Sequence, residues 1–319
     1  MGKKTTVFLL LLVTLLLMVS CSEGDFSVNT SDVLLTTSEP EISGVPVNIT
    51  SLTSCSEGTV SIPSASYVSG TLLVINDKKS FQYHTDSLLT LDELGSYASY
   101  YEEHNLIRLY GRKSQNYSLT SSRIFMKEDA FQPWEDMMAA FVLDTGKKSV
   151  QIVSSYVYSG EDSCFSSFVT GYSVAINLFE DGANYSLASS EKMVTVSGKT
   201  MTCLEWFQDH CAQYGFVYMG LDGTQAKTVA TFRYVGVPHA LAMQKLDFVD
   251  TEEYVVFIRN CDQNYTVIDT VNDITWNIDY YSADRNQEQT QITLPKGAVY
   301  MLSGNNIDGF IVAYYMPKS

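Results

Sequence analysis

The sequence predicts an α+β fold, a small antiparallel sheet with packed helices followed by a β-rich C-terminal extension. Three observations point there. The chain carries 21 Tyr beside many Val, Ile and Thr, residue types that suit pleated, half-buried strands. Two segments have helical apolar spacing with defined starts and stops, and near the C-terminus residues 274–280 alternate apolar and polar with period two. Strand and helix signals follow one another without a regular βαβ rhythm or an internal repeat, which is the α+β pattern. At 319 residues, 45% hydrophobic and 18% charged, the chain can bury a sizeable core. Its net charge of −16 excludes a nucleic-acid binder or a protein that lies on an anionic membrane by a basic face.

The elements follow in order. Lys3 and Lys4 precede an apolar run of 13 residues, 7–19, interrupted only by Thr14. That run is too short to span a bilayer and has the length of a signal-peptide core. It ends in Leu17-Met18-Val19-Ser20-Cys21, which resembles a bacterial lipobox. Residues 1–20 are therefore expected to be a lipoprotein signal peptide. Cys21 becomes the diacylated N-terminus, anchored to the outer face of the bacterial cell membrane, because two acyl chains suffice for stable attachment. From Ser22 to Ser66, 17 of 45 residues are Ser or Thr, and no Lys or Arg appears before Lys78. Residues 21–68 read as an acidic tether with too little apolar surface to fold. Five cysteines remain beyond the anchor (Cys55, Cys164, Cys203, Cys211 and Cys261), an odd number whose pairing spacing does not assign. Cys203 and Cys211 are too far apart along one helix to bridge.

Folding is expected to begin near Ser69. Thr71-Leu72-Leu73-Val74-Ile75-Asn76 reads as a strand running into a turn. A helix is expected over 132–145, with Pro133 in its first turn and Gly146 as its stop. Residues 149–158 read as a strand. Thr202 and Glu205 form a capping box for a second helix, with Leu204, Phe207, Cys211 and Tyr214 on one stripe and Gly215 at its end. Residues 228–235 are strand-like and 252–259 a short helix. Ile274, Trp276, Ile278 and Tyr280 alternate as in a half-buried strand, and 305–309 is a turn between two final strands. Residues 69–248 and 249–319 are taken as core and extension.

Four of these segments, in order, resemble the VanY-type D-alanyl-D-alanine carboxypeptidases. Ile152-Val153-Ser154-Ser155-Tyr156-Val157-Tyr158 is similar to the family's "SGYRS" strand. Residues 166–176, SSFVTGYSVAI, are similar to its "SEHQTGLAVDI" segment. Trp206 through Tyr214-Gly215-Phe216-Val217 is similar to its helix and exit. Residues 228–240, TVATFRYVGVPHA, are similar to its "EPWHYRYVGxPHA" strand, and 303–312 resembles a C-terminal addition found in some members. The resemblance implies a zinc DD-peptidase (hedgehog-like) core acting on peptidoglycan stem peptides. Such a site needs three protein ligands, an open position for water and a carboxylate base.

At those inherited positions the chemistry is missing. The three zinc-ligand positions hold Phe168, Ala175 and Thr231; the general-base position is Thr228; the substrate-arginine position is Val157. No zinc and no other cofactor is expected. Four histidines, His84, His104, His210 and His239, stand in no ligand spacing, and Gly171-Tyr172-Ser173-Val174-Ala175 lacks the strand-turn-helix context of a serine nucleophile. The aromatic content suggests a groove in place of the catalytic cleft, formed by Tyr156, Phe168, Thr170, Tyr172, Arg233 and His239, that binds a cell-wall peptide without cutting it. The plainer alternative is that the bulky residues fill the cleft. Expected, then, is a lipid-anchored, non-catalytic carboxypeptidase-like protein whose partner is a peptidoglycan stem peptide or another surface protein. Its rivals are an active metallopeptidase and a structural surface protein without a cell-wall ligand.

Overall fold

The computed structural model describes residues 52–75, 81–82, 104–112, 114–156, 163–164, 166–221 and 229–318. The leader, Cys21 and residues 22–51 lie outside them, and the described residues fall within one unit, Pro40–Ser319. In chain order, β1 (Thr53–Ser54), β2 (Thr59–Pro63), β3 (Phe81–Gln82), β4 (Leu106–Arg108), β5 (Ser118–Leu119) and β6 (Phe125–Lys127) precede helix α1 (Glu128–Thr145). Then come β7 (Val150–Ser154), β8 (Ser163–Cys164), β9 (Ser173–Glu180), β10 (Ala183–Tyr185) and the small hairpin β11 (Val194–Val196) and β12 (Lys199–Met201). Helix α2 (Cys203–His210) leads to β13 (Phe216–Leu221), β14 (Ala230–Tyr234), α3 (Val237–Leu246) and α4 (Thr251–Arg259). The chain ends in β15 (Tyr265–Asp269), β16 (Ile274–Ser282), β17 (Gln289–Thr293), β18 (Val299–Gly304) and β19 (Gly309–Tyr315).

Two sheets organise these strands. A six-stranded sheet has the order β13-β14-β9-β7-β5, with β10 also paired to β9, and only the β5–β7 pair is parallel. One face of it carries Val150, Ile152, Val174, Ile176, Leu178, Ala230 and Phe232 and packs against α1 and α2. α1 contributes Trp134, Met137, Met138 and Phe141, and α2 contributes Trp206 and Phe207, whose ring stacks on Phe141 at 4.8 Å. The second sheet, β1-β18-β19-β16-β15, is antiparallel and closes over α3 and α4 through Trp276, Ile278, Met301 and Ile311. The architecture is the expected α+β.

Local signals explain the element ends. Thr202 and Glu205 make the capping box of α2, each satisfying the other's backbone N–H. Gly146 (φ 69°) ends α1 and Gly215 (φ 81°) ends the 3-10 turn Cys211–Tyr214 after α2, both in the left-handed region. α1 starts four residues earlier than Pro133 suggests. Glu128 and Asp129 place two acids in its first turn, where the helix dipole favours them, and the Glu128 amide bonds to Asn105 O. Pro133 sits in the second turn.

Two expectations change, and the cysteines left open are assigned. The tether does not reach 68, because β1 pairs with β18 and β2 with β17, and Cys55 and Ile62 are buried in a third core cluster. Thr-flanked Val60 and Ile62 make a short alternating strand even in a Ser/Thr-rich context. Residues 71–74 are buried but join no ladder. Their backbone groups bond outside any ladder: Ser303 Oγ accepts from Leu72 N, Val74 N donates to Asn305 O, and Asn306 Nδ2 donates to Val74 O. Cys55, Cys203, Cys211 and Cys261 are free thiols; burial pushes Cys203 up to about 11 and Cys211 up to about 12, so both stay protonated.

A candidate site on the outer face of the six-stranded sheet

Strand alternation decides which side chains share a face. Val174, Ile176 and Leu178 of β9 point into the main core, so Ser173, Ala175 and Asn177 point the other way. On β14, Ala230 and Phe232 point in, and Thr231 and Arg233 point out. Ala175 and Thr231 are direct partners across the β9–β14 ladder, roughly 5 Å apart at Cα as paired residues are. Across the other edge of β9, Ser154 of β7 opposes Ala175 beyond a bulge between Ile152 and Ser154. A row of small residues, Ser154, Ala175 and Thr231, thus crosses three strands, with Ala175 4% and Thr231 8% exposed.

Phe168 reaches the same end of the sheet by a different route. It lies in the 3-10 turn Ser167–Thr170, whose N-cap Ser166 accepts from Phe168 N and whose stop is Gly171 (φ 77°). The turn is pinned to the head of β9, because Ser173 Oγ donates to Ser167 and Ser155 Oγ donates to Ser173 O. A side chain at Gly171 would meet Leu106 Cδ2 at 2.8 Å, so the turn approaches β4 closely. Phe168 remains half-buried. Thr228 and Val157 lie outside the described residues.

The donor set here does not fit zinc. Ala175 and Phe168 have no lone pair to offer, and Thr231 has a neutral hydroxyl where carboxylate, imidazole or thiolate is needed. Among the described residues no three His, Cys, Asp or Glu side chains come together as a metal site. His210 stacks on Trp206 at 4.4 Å with its Nδ1 2.7 Å from Trp206 O.

Four of the six expected groove residues are corrected to structural ones. Thr170 is buried and donates to Ser167 O. Tyr172 is in the main core, donates to Asp129 Oδ2 and stacks on Tyr234. Arg233 is buried: Nη2 donates to Thr71 O and Leu73 O at 2.9 and 2.8 Å, and Nη1 to Thr251 Oγ1. Burial pulls its guanidinium down to about 10, with Asp250 opposing. His239 is also fully buried, Nδ1 lying 2.9 Å from Tyr254 Oη, and burial holds its imidazole down at about 3. Tyr156 and Phe168 keep partial exposure. The reading of the residues missed Ser154, Ser155 and Ser167, which complete the hydroxyl lining at the head of β9; the period-two run 173–177 pointed to this face, but the bulge that brings Ser154 opposite Ala175 leaves no trace in composition.

No protein-family model matches the chain. Over 218 residues it is 30% identical to the D-alanyl-D-alanine carboxypeptidase of Enterococcus faecium, a match taking in 62% of this chain and 64% of that protein. The chain thus matches less than two thirds of that relative's length. Its fold matches that of the vancomycin-resistance D,D-dipeptidase VanXYg, solved with a D-Ala-D-Ala phosphinate analog. The TM-score is 0.57 over 83% of this chain and 99% of that one, at 20% identity.

Proposed function

We propose that this chain is a member of the VanY-type D-alanyl-D-alanine carboxypeptidase family that keeps the family's fold without its chemistry: a lipid-anchored surface protein that holds a cell-wall stem peptide and does not cut it. The observation that carries the proposal is the Ala175–Thr231 pair. In the family pattern these two positions supply metal ligands from adjacent strands. Here they face one another in register, so neither is lost to misplacement, and a methyl group and a hydroxyl stand where a carboxylate and an imidazole would be needed. Losing a partner behind a ligand costs about 10 to 100-fold in affinity or activity, and losing the ligands themselves removes the site. A fold commonly outlives a reaction, because function resides in the side chains of a site.

What would hold a peptide is the half-buried Phe168 and Tyr156 beside the hydroxyl row. Aromatic rings with a few fixed polar groups are the usual composition of a small-ligand cleft. The lipobox-like segment ending at Cys21 would tether this domain outside the cell, where its partner would be a peptidoglycan stem peptide.

The test is a titration of the full chain with a pentapeptide ending in D-Ala-D-Ala, followed by mass spectrometry of the peptide after long incubation with added zinc. Saturable binding, weakened about tenfold by Phe168→Ala, with the peptide recovered intact, is expected. Release of D-alanine would refute the non-catalytic reading, and absence of binding would refute the peptide-holding one.

A further inference from the structure

A groove opens beside the edge strand β5. It has a volume of about 510 Å³, and its walls are Leu109, Tyr110, Ser114, Tyr117 and residues 119–122. That volume falls inside the roughly 300–1,000 Å³ typical of small-ligand sites. The groove reaches the Ser154 end of the Ala175–Thr231 row, because Thr120 N donates to Ile152 O and Thr120 Oγ1 to the carbonyls of Ile152 and Val153.

Charge sets this place apart from the rest of the chain. The sequence has 36 acids against 20 bases, yet residues 104–127 hold five Lys or Arg and no Asp or Glu. Three of the five, Arg108, Arg112 and Arg123, are exposed on the segments that build the walls. Arg108 Nε donates to Ser122 O at 2.6 Å, and its guanidinium lies 5.8 Å from the Tyr110 centroid, which fixes the side chain at the rim. Arg112 closes the 3-10 turn Leu109–Arg112, with its guanidinium 5.5 Å from the centroid of Phe131 on α1. Arg123 follows Ser122, and its amide donates to Ser121 Oγ at 3.1 Å, which leaves the Ser121 hydroxyl proton to donate elsewhere. Glu135 stands behind the wall with both carboxylate oxygens engaged, one by Tyr117 Oη at 2.5 Å and the other by Ser114 Oγ at 3.0 Å.

The rim thus presents guanidinium and hydroxyl protons, and their match is an oxyanion. Arginine's planar fork suits phosphate oxygens, and a tetrahedral phosphate accepts from several directions where a carboxylate accepts in one plane. Arg108 and Arg112 rest on different rings, so the positive charge is spread along the rim and not focused on one point. A single phosphate monoester brings a charge of about −1.5 to −2, less than three guanidinium groups balance. A row of phosphodiesters spreads one negative charge per unit along its length. The net charge of −16 opposes a long polyanion, but salt screens that field beyond about 8 Å, so the local rim favours a short run. We propose that this groove binds a short phosphodiester chain, with its phosphates on Arg108, Arg112 and Arg123 and on the Ser121 hydroxyl. The assignment does not rest on the peptide reading.

The probe is a hexamer of glycerol phosphate, titrated calorimetrically into the full chain and, separately, into Arg112→Ala and Arg123→Ala. Thermal unfolding of all three proteins is the folding control; both side chains are exposed, and two variants keep the test open if one unfolds early. Hexaglutamate, of similar charge, is the carboxylate arm. Saturable binding of the hexamer is expected, weakened about tenfold in each folded variant and weakened again as salt rises from about 50 to about 200 mM. Hexaglutamate should bind at least about tenfold more weakly than the hexamer. No saturable binding up to millimolar hexamer, or unchanged binding in either folded variant, would overturn the proposal. Hexaglutamate binding as tightly as the hexamer would overturn it too, by assigning the groove to acidic peptide. A failed pentapeptide titration would leave each of these results untouched.

Discussion

His239 gives the fold a pH dependence that can be isolated from every other group. The imidazole is fully buried on α3 with the Tyr254 hydroxyl 2.9 Å from Nδ1, while among the described residues Nε2 has no hydrogen-bond partner. A proton added to it would create a charge with no acceptor ready on the second nitrogen. Burial therefore lowers its folded value to about 3 from 6.5. The sign follows from proton counting: between these values the unfolded chain binds the proton and the folded chain does not, so stability rises with pH. The contribution is complete above about 6.5 and is lost as pH falls toward 3. Across the full window the shift corresponds to about 5 kcal/mol, and between pH 6.5 and 5 alone to about 2 kcal/mol. The upper interval avoids most carboxylate titration. Urea unfolding of the full chain at pH 7 and pH 5, compared with His239→Gln, isolates the effect, because the other titrating groups are common to both proteins. The parent should lose about 2 kcal/mol more than the variant over that interval. Parallel losses in the two proteins would show that His239 is protonated in the folded state and would refute the burial account.

Further predictions concern the supports of the site. Arg233→Met leaves the carbonyls of Thr71 and Leu73 without their buried donor and should cost about 3–5 kcal/mol, read as a drop in urea midpoint. Glu180 is pushed up by burial, but bonds from Lys192, Ser149 and Lys147 outweigh this and hold it at about 2 against an ordinary 4.5; its contribution is present above pH 4.5 and disappears as pH falls toward 2. Glu180→Gln should accordingly cost about 1 kcal/mol at pH 7 and nothing at pH 2, measured by denaturant titration at both. At Gly215 (φ 81°) an added Cβ would lie 3.0 Å from the backbone at Gly236 and Val237, so Gly215→Ala should cost about 1–3 kcal/mol and lower the thermal midpoint.

The parts of this molecule written in short-range code were legible. The Thr202–Glu205 capping box, the Gly146 and Gly215 stops and the alternating strand from Ile274 are all where local chemistry places them. What failed was the assignment of exposure. Arg233 and His239, polar and near the aligned segments, are admitted to the groove from the sequence. The family match already reads His239 as packing or hydrogen-bonding and the Arg233 segment as strand packing, and that structural reading is the one that holds. Arg233 is claimed by carbonyls some 160 residues upstream, and His239 by Tyr254 on the next helix. Tyr172 was lost in the same way, to Asp129 on α1. Residues 52–66 were misread for the converse reason. Their composition lacks a core of its own, and their order comes from β17 and β18, strands far along the chain.

The central claim is that the inherited ligand positions hold no catalytic metal. It is tested most directly by the zinc content of the purified full chain, equilibrated with zinc and then washed free of excess. With Phe168, Ala175 and Thr231 in place of three ligands, the retained metal should be well below about 0.1 equivalent. About one tightly held equivalent, together with D-alanine release that stops on chelation, would contradict it.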